Sequence, residues 1–189
     1  MNLNFLNRNI LLFGFVLIGS LLLTSCDPDE PEDENEEEVI TTLVYTLTDA
    51  SGNDVVFSFV DLDGDGSGAP VINVGTLAAN TSYTGSVEFR NDVEGEDITE
   101  EVAEEDDEHQ VFYASTIGGV SVAYTDTDGN GDPVGLATSL TTGDAGTGNM
   151  TVTLIHEPAK DASGVAGGDI SNAGGETDIE VTFTGVVVQ

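Results

Sequence analysis

From Leu43 to Phe183 the chain keeps returning to one rhythm, an apolar side chain at every second position. Leu43, Tyr45 and Leu47 alternate with Val44, Thr46 and Thr48. Val55, Phe57 and Phe59 repeat the pattern. Tyr83, Val87 and Phe89 do so with Thr84, Ser86, Glu88 and Arg90 on the other face. Val120, Val122 and Tyr124 follow, then Val134, Leu136 and Leu140, then Met150, Val152 and Leu154. Last come Ile179, Val181 and Phe183 against Asp178, Glu180 and Thr182. Alternation of β-branched and aromatic residues is the signature of strands buried on one side. Clusters of Gly, Asn and Asp at 49–53, 63–68, 126–132 and 143–148 supply the turns between them. Seven or eight short strands so punctuated predict an all-β fold, an antiparallel β-sandwich of immunoglobulin-like or related topology. A small barrel is the alternative, and strand order stays open.

One segment departs from this rhythm. Asp97-Ile98-Thr99-Glu100 has an N-cap residue followed three positions later by Glu, and residues 100–109 contain neither Gly nor Pro. A short helix over about 98–108 is predicted, crossing one end of the sandwich. Its carboxylates are unfavourable near the helix carboxyl end, so it needs tertiary support or a cation. Ile98, Val102, Glu105 and His109 form one stripe on that helix.

The amino-terminal part follows different rules. Residues 10–23 are apolar apart from Gly14, Gly19 and Ser20, with Arg8 as the only charge before them. The run is short for a membrane span and fits the core of a secretion signal. It ends at Leu23-Thr24-Ser25-Cys26, which resembles the bacterial lipobox, where the cysteine is lipidated and becomes the new amino terminus. Cys26 is the only cysteine in the chain, so lipidation there leaves neither a disulfide nor a thiol nucleophile. Residues 27–38 read DPDEPEDENEEE, with nine acids and two prolines. Such a segment buries nothing and is held extended by its own charge. The expected organisation is a lipoprotein signal peptide at 1–25, the lipidated cysteine and a disordered acidic tether at 26–38, and the β-sandwich domain at 39–189. An acidic run directly after the lipidated cysteine also resembles the export signal of Bacteroidota surface lipoproteins. Outer-membrane attachment facing the cell surface is therefore expected, the periplasmic face being the alternative.

Charge narrows the partners. The chain has 36 acids and three bases, Arg8, Arg90 and Lys160. Nucleic acid is excluded, because phosphate binding needs a basic footprint. Anionic head groups are repelled for the same reason, so membrane association falls to the lipid anchor. No G-x-S-x-G elbow, P-loop or dinucleotide fingerprint occurs in the sequence, and a non-enzymatic role is expected.

Two sets of residues could hold metal ions. Asp61-Leu62-Asp63-Gly64-Asp65-Gly66 and Asp126-Thr127-Asp128-Gly129-Asn130-Gly131-Asp132 place oxygens at alternate positions, as calcium loops do. Asp61, Asp63 and Asp65, with Asp126, Asp128, Asn130 and Asp132, are the candidate calcium ligands. Both loops lack the Glu at position twelve, and an Asx-rich turn accounts for them as well. The second set involves the only two histidines. His109 ends the predicted helical stripe. His156 ends the strand Met150-Thr151-Val152-Thr153-Leu154-Ile155 on its core face. If they meet, His109, His156 and Glu105 are the expected ligands, with Glu108 and Glu157 as second choices, a set that suits zinc or iron. Otherwise they are two independent core histidines. The Gly/Ala/Ser/Asn-rich loop at 160–176 follows His156 and is long enough to cover that site or to be slack.

The body of the chain resembles an uncharacterised family of small, flavobacterial-type Bacteroidota surface lipoproteins. The resemblance rests on Asp61-Leu62-Asp63-Gly64-Asp65-Gly66, Gly75-Thr76-Leu77, Glu108-His109-Gln110-Val111-Phe112-Tyr113, His156-Glu157-Pro158 and Asn172-Ala173-Gly174-Gly175-Glu176-Thr177-Asp178. Members are sometimes labelled type 1 periplasmic-binding-fold proteins, a two-lobed α/β fold that the strand pattern here does not match. By analogy with such lipoproteins, the resemblance implies surface capture beside a TonB-dependent transporter. The expected function is capture of a metal ion, or of a metal-containing nutrient, for a membrane transporter. The alternative is a structural or adhesive sandwich stabilised by calcium, and a weaker third reading is carbohydrate binding through exposed loops.

Overall fold

The alternation sorts side chains into layers. Along Ser82–Arg90 every second residue from Tyr83 to Phe89 is buried, while Ser82, Thr84, Ser86 and Glu88 are exposed. The computed structural model describes residues 39–64, 66 and 68–189. The predicted signal peptide, Cys26, the acidic tether and Asp65 lie outside the described residues.

Ten strands and one α-helix occur among the described residues. In chain order they are β1 (Thr42–Asp49), β2 (Asp54–Val60), β3 (Val71–Asn73), β4 (Thr76–Leu77), β5 (Ser82–Arg90), α1 (Ile98–Glu104), β6 (His109–Ser115), β7 (Ser121–Tyr124), β8 (Ala137–Thr141), β9 (Gly146–His156) and β10 (Glu176–Val188). They form a six-stranded sheet, β3-β2-β1-β5-β8-β7, and a four-stranded sheet, β4-β10-β9-β6. All pairings are antiparallel except β4 with β10. The fold is thus the expected all-β sandwich of two sheets, without a barrel. No helix among the described residues is long and apolar enough to cross a membrane.

The inner faces meet through aromatic pairs. Tyr45 of β1 lies 5.1 Å from Tyr113 of β6, and Phe57 of β2 lies 5.5 Å from Phe183 of β10. Such pairs contribute about 0.5–1.5 kcal/mol beyond burial of their area. Leu43, Leu47, Phe89, Leu140, Val152 and Leu154 fill the space around them, all fully buried.

A second, smaller core lies on the outer face of the four-stranded sheet. Phe112 and Ile155 point that way and are covered by Val165 and Ala173. Those two belong to residues 157–175, which carry two short 3-10 turns, Val165–Gly167 and Ile170–Asn172. The predicted loop is therefore neither slack nor a cover for the histidines, since it is packed on the opposite face of the sheet from them. Its apolar residues are single and widely spaced, so no periodic signal announces the packing.

Three strands escaped the period-two reading. β3 and β4 have three and two residues, too few to show a period. β6 is buried at four consecutive positions, His109 to Phe112, so it shows no alternation, and only its first residue falls on the stripe of the predicted helix. That helix ends at Glu104, not near 108. Five consecutive acids, Glu104 to Glu108, face the negative end of its dipole with no base in its last turn. Its start matches the reading: Asp97 accepts a hydrogen bond from the Thr99 amide, and Ile98 and Val102 are buried.

Candidate metal centre

The histidines meet, through a strand pair and not through a helix. β6 and β9 run antiparallel with His109 opposite His156, followed on the same face by Val111 opposite Leu154. Both imidazoles thus lie on the core face at the end of the four-stranded sheet. Their ring centroids are 4.6 Å apart with an interplanar angle of 25°. His109 is fully buried and His156 nearly so.

Helix α1 turns into β6 through residues 105–108. The Glu105 amide donates to the Glu101 carbonyl at 2.9 Å, and the Glu108 amide to the Glu105 carbonyl at 2.9 Å. His109 Nδ1 lies 3.2 Å from the Glu105 carbonyl oxygen. A carbonyl only accepts, so this contact assigns the proton to Nδ1. The Glu105 carboxylate is farther away, 4.0 Å from Nδ1. On the opposing strand, Glu157 follows His156 with a left-handed φ of 50°, which turns the chain sharply. Its amide donates to the Glu108 carbonyl at 2.6 Å. Gly175 permits this turn, because a Cβ there would stand 2.2 Å from the His156 carbonyl oxygen.

These turns bring three ligand side chains together. Donor atoms of Glu108, His156 and Glu157 all lie within 4.8 Å of one another, with His156 Nε2 3.7 Å from Glu108 Oε2. The ranking expected from sequence is therefore reversed: Glu108 and Glu157 join His156, whereas Glu105 and His109 stand behind it. Two nearly parallel stacked rings aim their in-plane lone pairs side by side, so both histidines cannot ligate one ion in this arrangement. His109 instead forms a wall against which the His156 ring is held.

The donor set fits a metal of borderline character. One imidazole and two carboxylates suit zinc or iron(II), and three protein ligands leave a further position open. Metal–ligand bonds of ~2.0–2.2 Å put tetrahedral donors about 3.3 Å apart, so the group closes by roughly 1–1.5 Å around an ion. Glu108 can move that far, since its side chain is 53% exposed.

The aspartate loops are engaged differently. Asp126 accepts from the Gly135 amide at 2.9 Å and from the Ala137 amide at 2.8 Å. Asp128 Oδ1 accepts from the amides of Asn130, Gly131 and Asp132, each at 2.9 Å. Its Oδ2 receives the Lys160 ammonium at 3.0 Å. Asp128 thus forms the Asx-type turn that stood as the alternative to a calcium loop, with the Lys160 ammonium on its second oxygen, and the Asp126 carboxylate is taken up by backbone amides. In the other loop Asp61 Oδ1 accepts from the Gly64 amide at 3.3 Å, and Asp63 is exposed.

Lys160 is the residue that sequence reasoning passed over. It is buried, and its Nζ also donates to the Asp106 carbonyl, just past the end of α1. This is the cation that the acidic end of the helix lacked. Burial raises the Asp128 carboxyl, but Lys160 and the loop amides outweigh it and hold the group below its usual range. The signal in the sequence was rarity: among so many acids, a lone lysine two residues after His156-Glu157-Pro158 is a strong candidate for an internal partner.

Comparison with protein-family models, with curated proteins and with solved structures found no match.

Proposed function

We propose that this chain is a non-enzymatic, lipid-anchored capture protein of the bacterial outer membrane, taking up a divalent transition-metal ion at Glu108, His156 and Glu157. Convergence of one imidazole and two carboxylates at a sheet end carries the reading. Zinc or iron(II) is the class of ion that this donor set favours. A partly open coordination sphere suits capture followed by transfer to a membrane partner, for which a TonB-dependent transporter is proposed. Cys26 is the proposed anchor and the acidic tether the spacer, holding the site away from the membrane at the cell surface. The calcium reading is the weaker one, because the carboxylates of Asp126 and Asp128 already serve backbone amides and Lys160.

Calorimetric titration with zinc, on a soluble form that begins near Val39, tests the reading. One ion per chain is expected for the wild type and none for His156→Ala. Binding that is absent, or that survives His156→Ala unchanged, would overturn it.

A further inference from the structure

We propose that Lys160 is the positioning residue of the Glu108–His156–Glu157 site, an inference that rests on the capture reading above. The two carboxylates hang from two turns, residues 105–108 and 157–160, and Lys160 ties those turns together. It follows Glu157 by three residues. Its ammonium donates to the carbonyl of Asp106, two residues before Glu108, and to Asp128 Oδ2 at 3.0 Å. The Glu157 amide closes the same junction on the Glu108 carbonyl at 2.6 Å.

Charge gives this clamp its importance. Glu104 to Glu108 are five consecutive acids, and the Glu157 carboxylate lies within 4.8 Å of the last of them, Glu108. Before an ion arrives, Glu108 and Glu157 repel each other and the turns tend to part. Of the two bases among the described residues, Arg90 pairs with Glu88 at 3.3 Å and Asp92 at 3.1 Å. Lys160 is the one base bonded to the ligand-bearing turns. It offsets the repulsion from inside, where salt screens little. Asp128 fixes the ammonium in place, so the Asx turn at 126–132 is the outer support of the site. In Lys160→Met the ligands must first be gathered, and affinity falls.

The test uses cobalt(II) as probe, read by calorimetry and by its visible ligand-field spectrum, at a temperature where circular dichroism shows each variant folded. Wild type is expected to bind one ion and His156→Ala none. Lys160→Met is expected to bind about 10–100-fold more weakly, the range for outer supports of metal ligands, and with an altered spectrum. Asp128→Asn, which leaves Lys160 on the Asp106 carbonyl, is expected to lose less. A merely structural lysine would lower stability yet leave affinity and spectrum of the folded protein untouched. That result in Lys160→Met would overturn the positioning role while the site itself stands. If Lys160→Met does not fold, Asp128→Asn decides: weakened cobalt binding supports the role, and wild-type affinity overturns it. Absent cobalt binding in the wild type overturns site and role together.

Discussion

The buried pair of Lys160 and Asp128 offers a sharp test of what holds the molecule together at this end. Their side chains are only 6% and 1% exposed. Breaking a buried ion pair by neutralising one partner costs about 3–5 kcal/mol, because the other charge stays behind without compensation. In Asp128→Asn the amide oxygen still accepts from the loop amides, and Lys160 keeps the Asp106 carbonyl, so the lower end, about 3 kcal/mol, is expected. Asp128→Ala also strands the amides of Asn130, Gly131 and Asp132. Those residues are partly in reach of water, so the added loss is about 1 kcal/mol. At roughly 2–4 °C per kcal/mol for a domain of this size, Asp128→Asn lowers Tm by about 6–12 °C. The double variant Asp128→Asn/Lys160→Met removes both charges and is expected to recover most of that loss. Urea and thermal unfolding at neutral pH measure all four proteins. The acid limb gives a second reading. The folded carboxyl titrates below its usual 3.8, so its contribution is full above that value and disappears as pH falls through the lower, folded one. Wild type and Asp128→Asn therefore converge in acid. An Asp128→Asn variant within about 0.5 kcal/mol of wild type at neutral pH, the span of a neutral surface change, would refute the reasoning. So would a double variant no more stable than the single.

Two further outcomes follow from the core. A β-carbon at Gly85 would lie 2.3 Å from Thr138 Oγ1 and 2.8 Å from the Tyr45 hydroxyl, atoms hydrogen-bonded to each other at 2.8 Å. Gly85→Ala is therefore expected to destabilise by about 2–4 kcal/mol in urea, from overpacking and a broken buried hydrogen bond; the gain usual for Gly→Ala in a strand would contradict this. Burial pushes the Tyr45 hydroxyl up to about 12, partly offset by Thr138, and pushes Tyr113 well above 10.0. Because the folded values are raised, the neutral hydroxyls stabilise the fold fully below the ordinary 10.0, and this is lost as pH rises from there through about 12. Tyrosinate absorbance should appear together with loss of the circular dichroism signal in that window; titration of these tyrosines near 10.0 with the fold intact would be the contrary result.

What could be read from the sequence and what could not divides along physical lines. Period-two alternation is local, each residue declaring its face by the identity of its neighbours two away. Tyr83, Val87 and Phe89, or Met150, Val152 and Leu154, thus announced their strands and their core side. The cap at Asp97 is local too. The side of the sheet that His156 occupies followed from counting by twos. The partner of His156 did not, because β6 and β9 pair across 47 positions and such a pairing is selected by the packing of the whole sandwich. The end of α1 was likewise a balance between an acidic run that weakens the helix and a lysine more than fifty positions away, which caps the outcome from elsewhere in the fold. Alternation, the lipobox-like cysteine and the acid excess were determined by the sequence alone. Which carboxylates stand beside His156, and that the lone lysine is buried against Asp128 and the Asp106 carbonyl, was decided only by the tertiary structure, since distances between distant segments depend on how two sheets bury their apolar faces together.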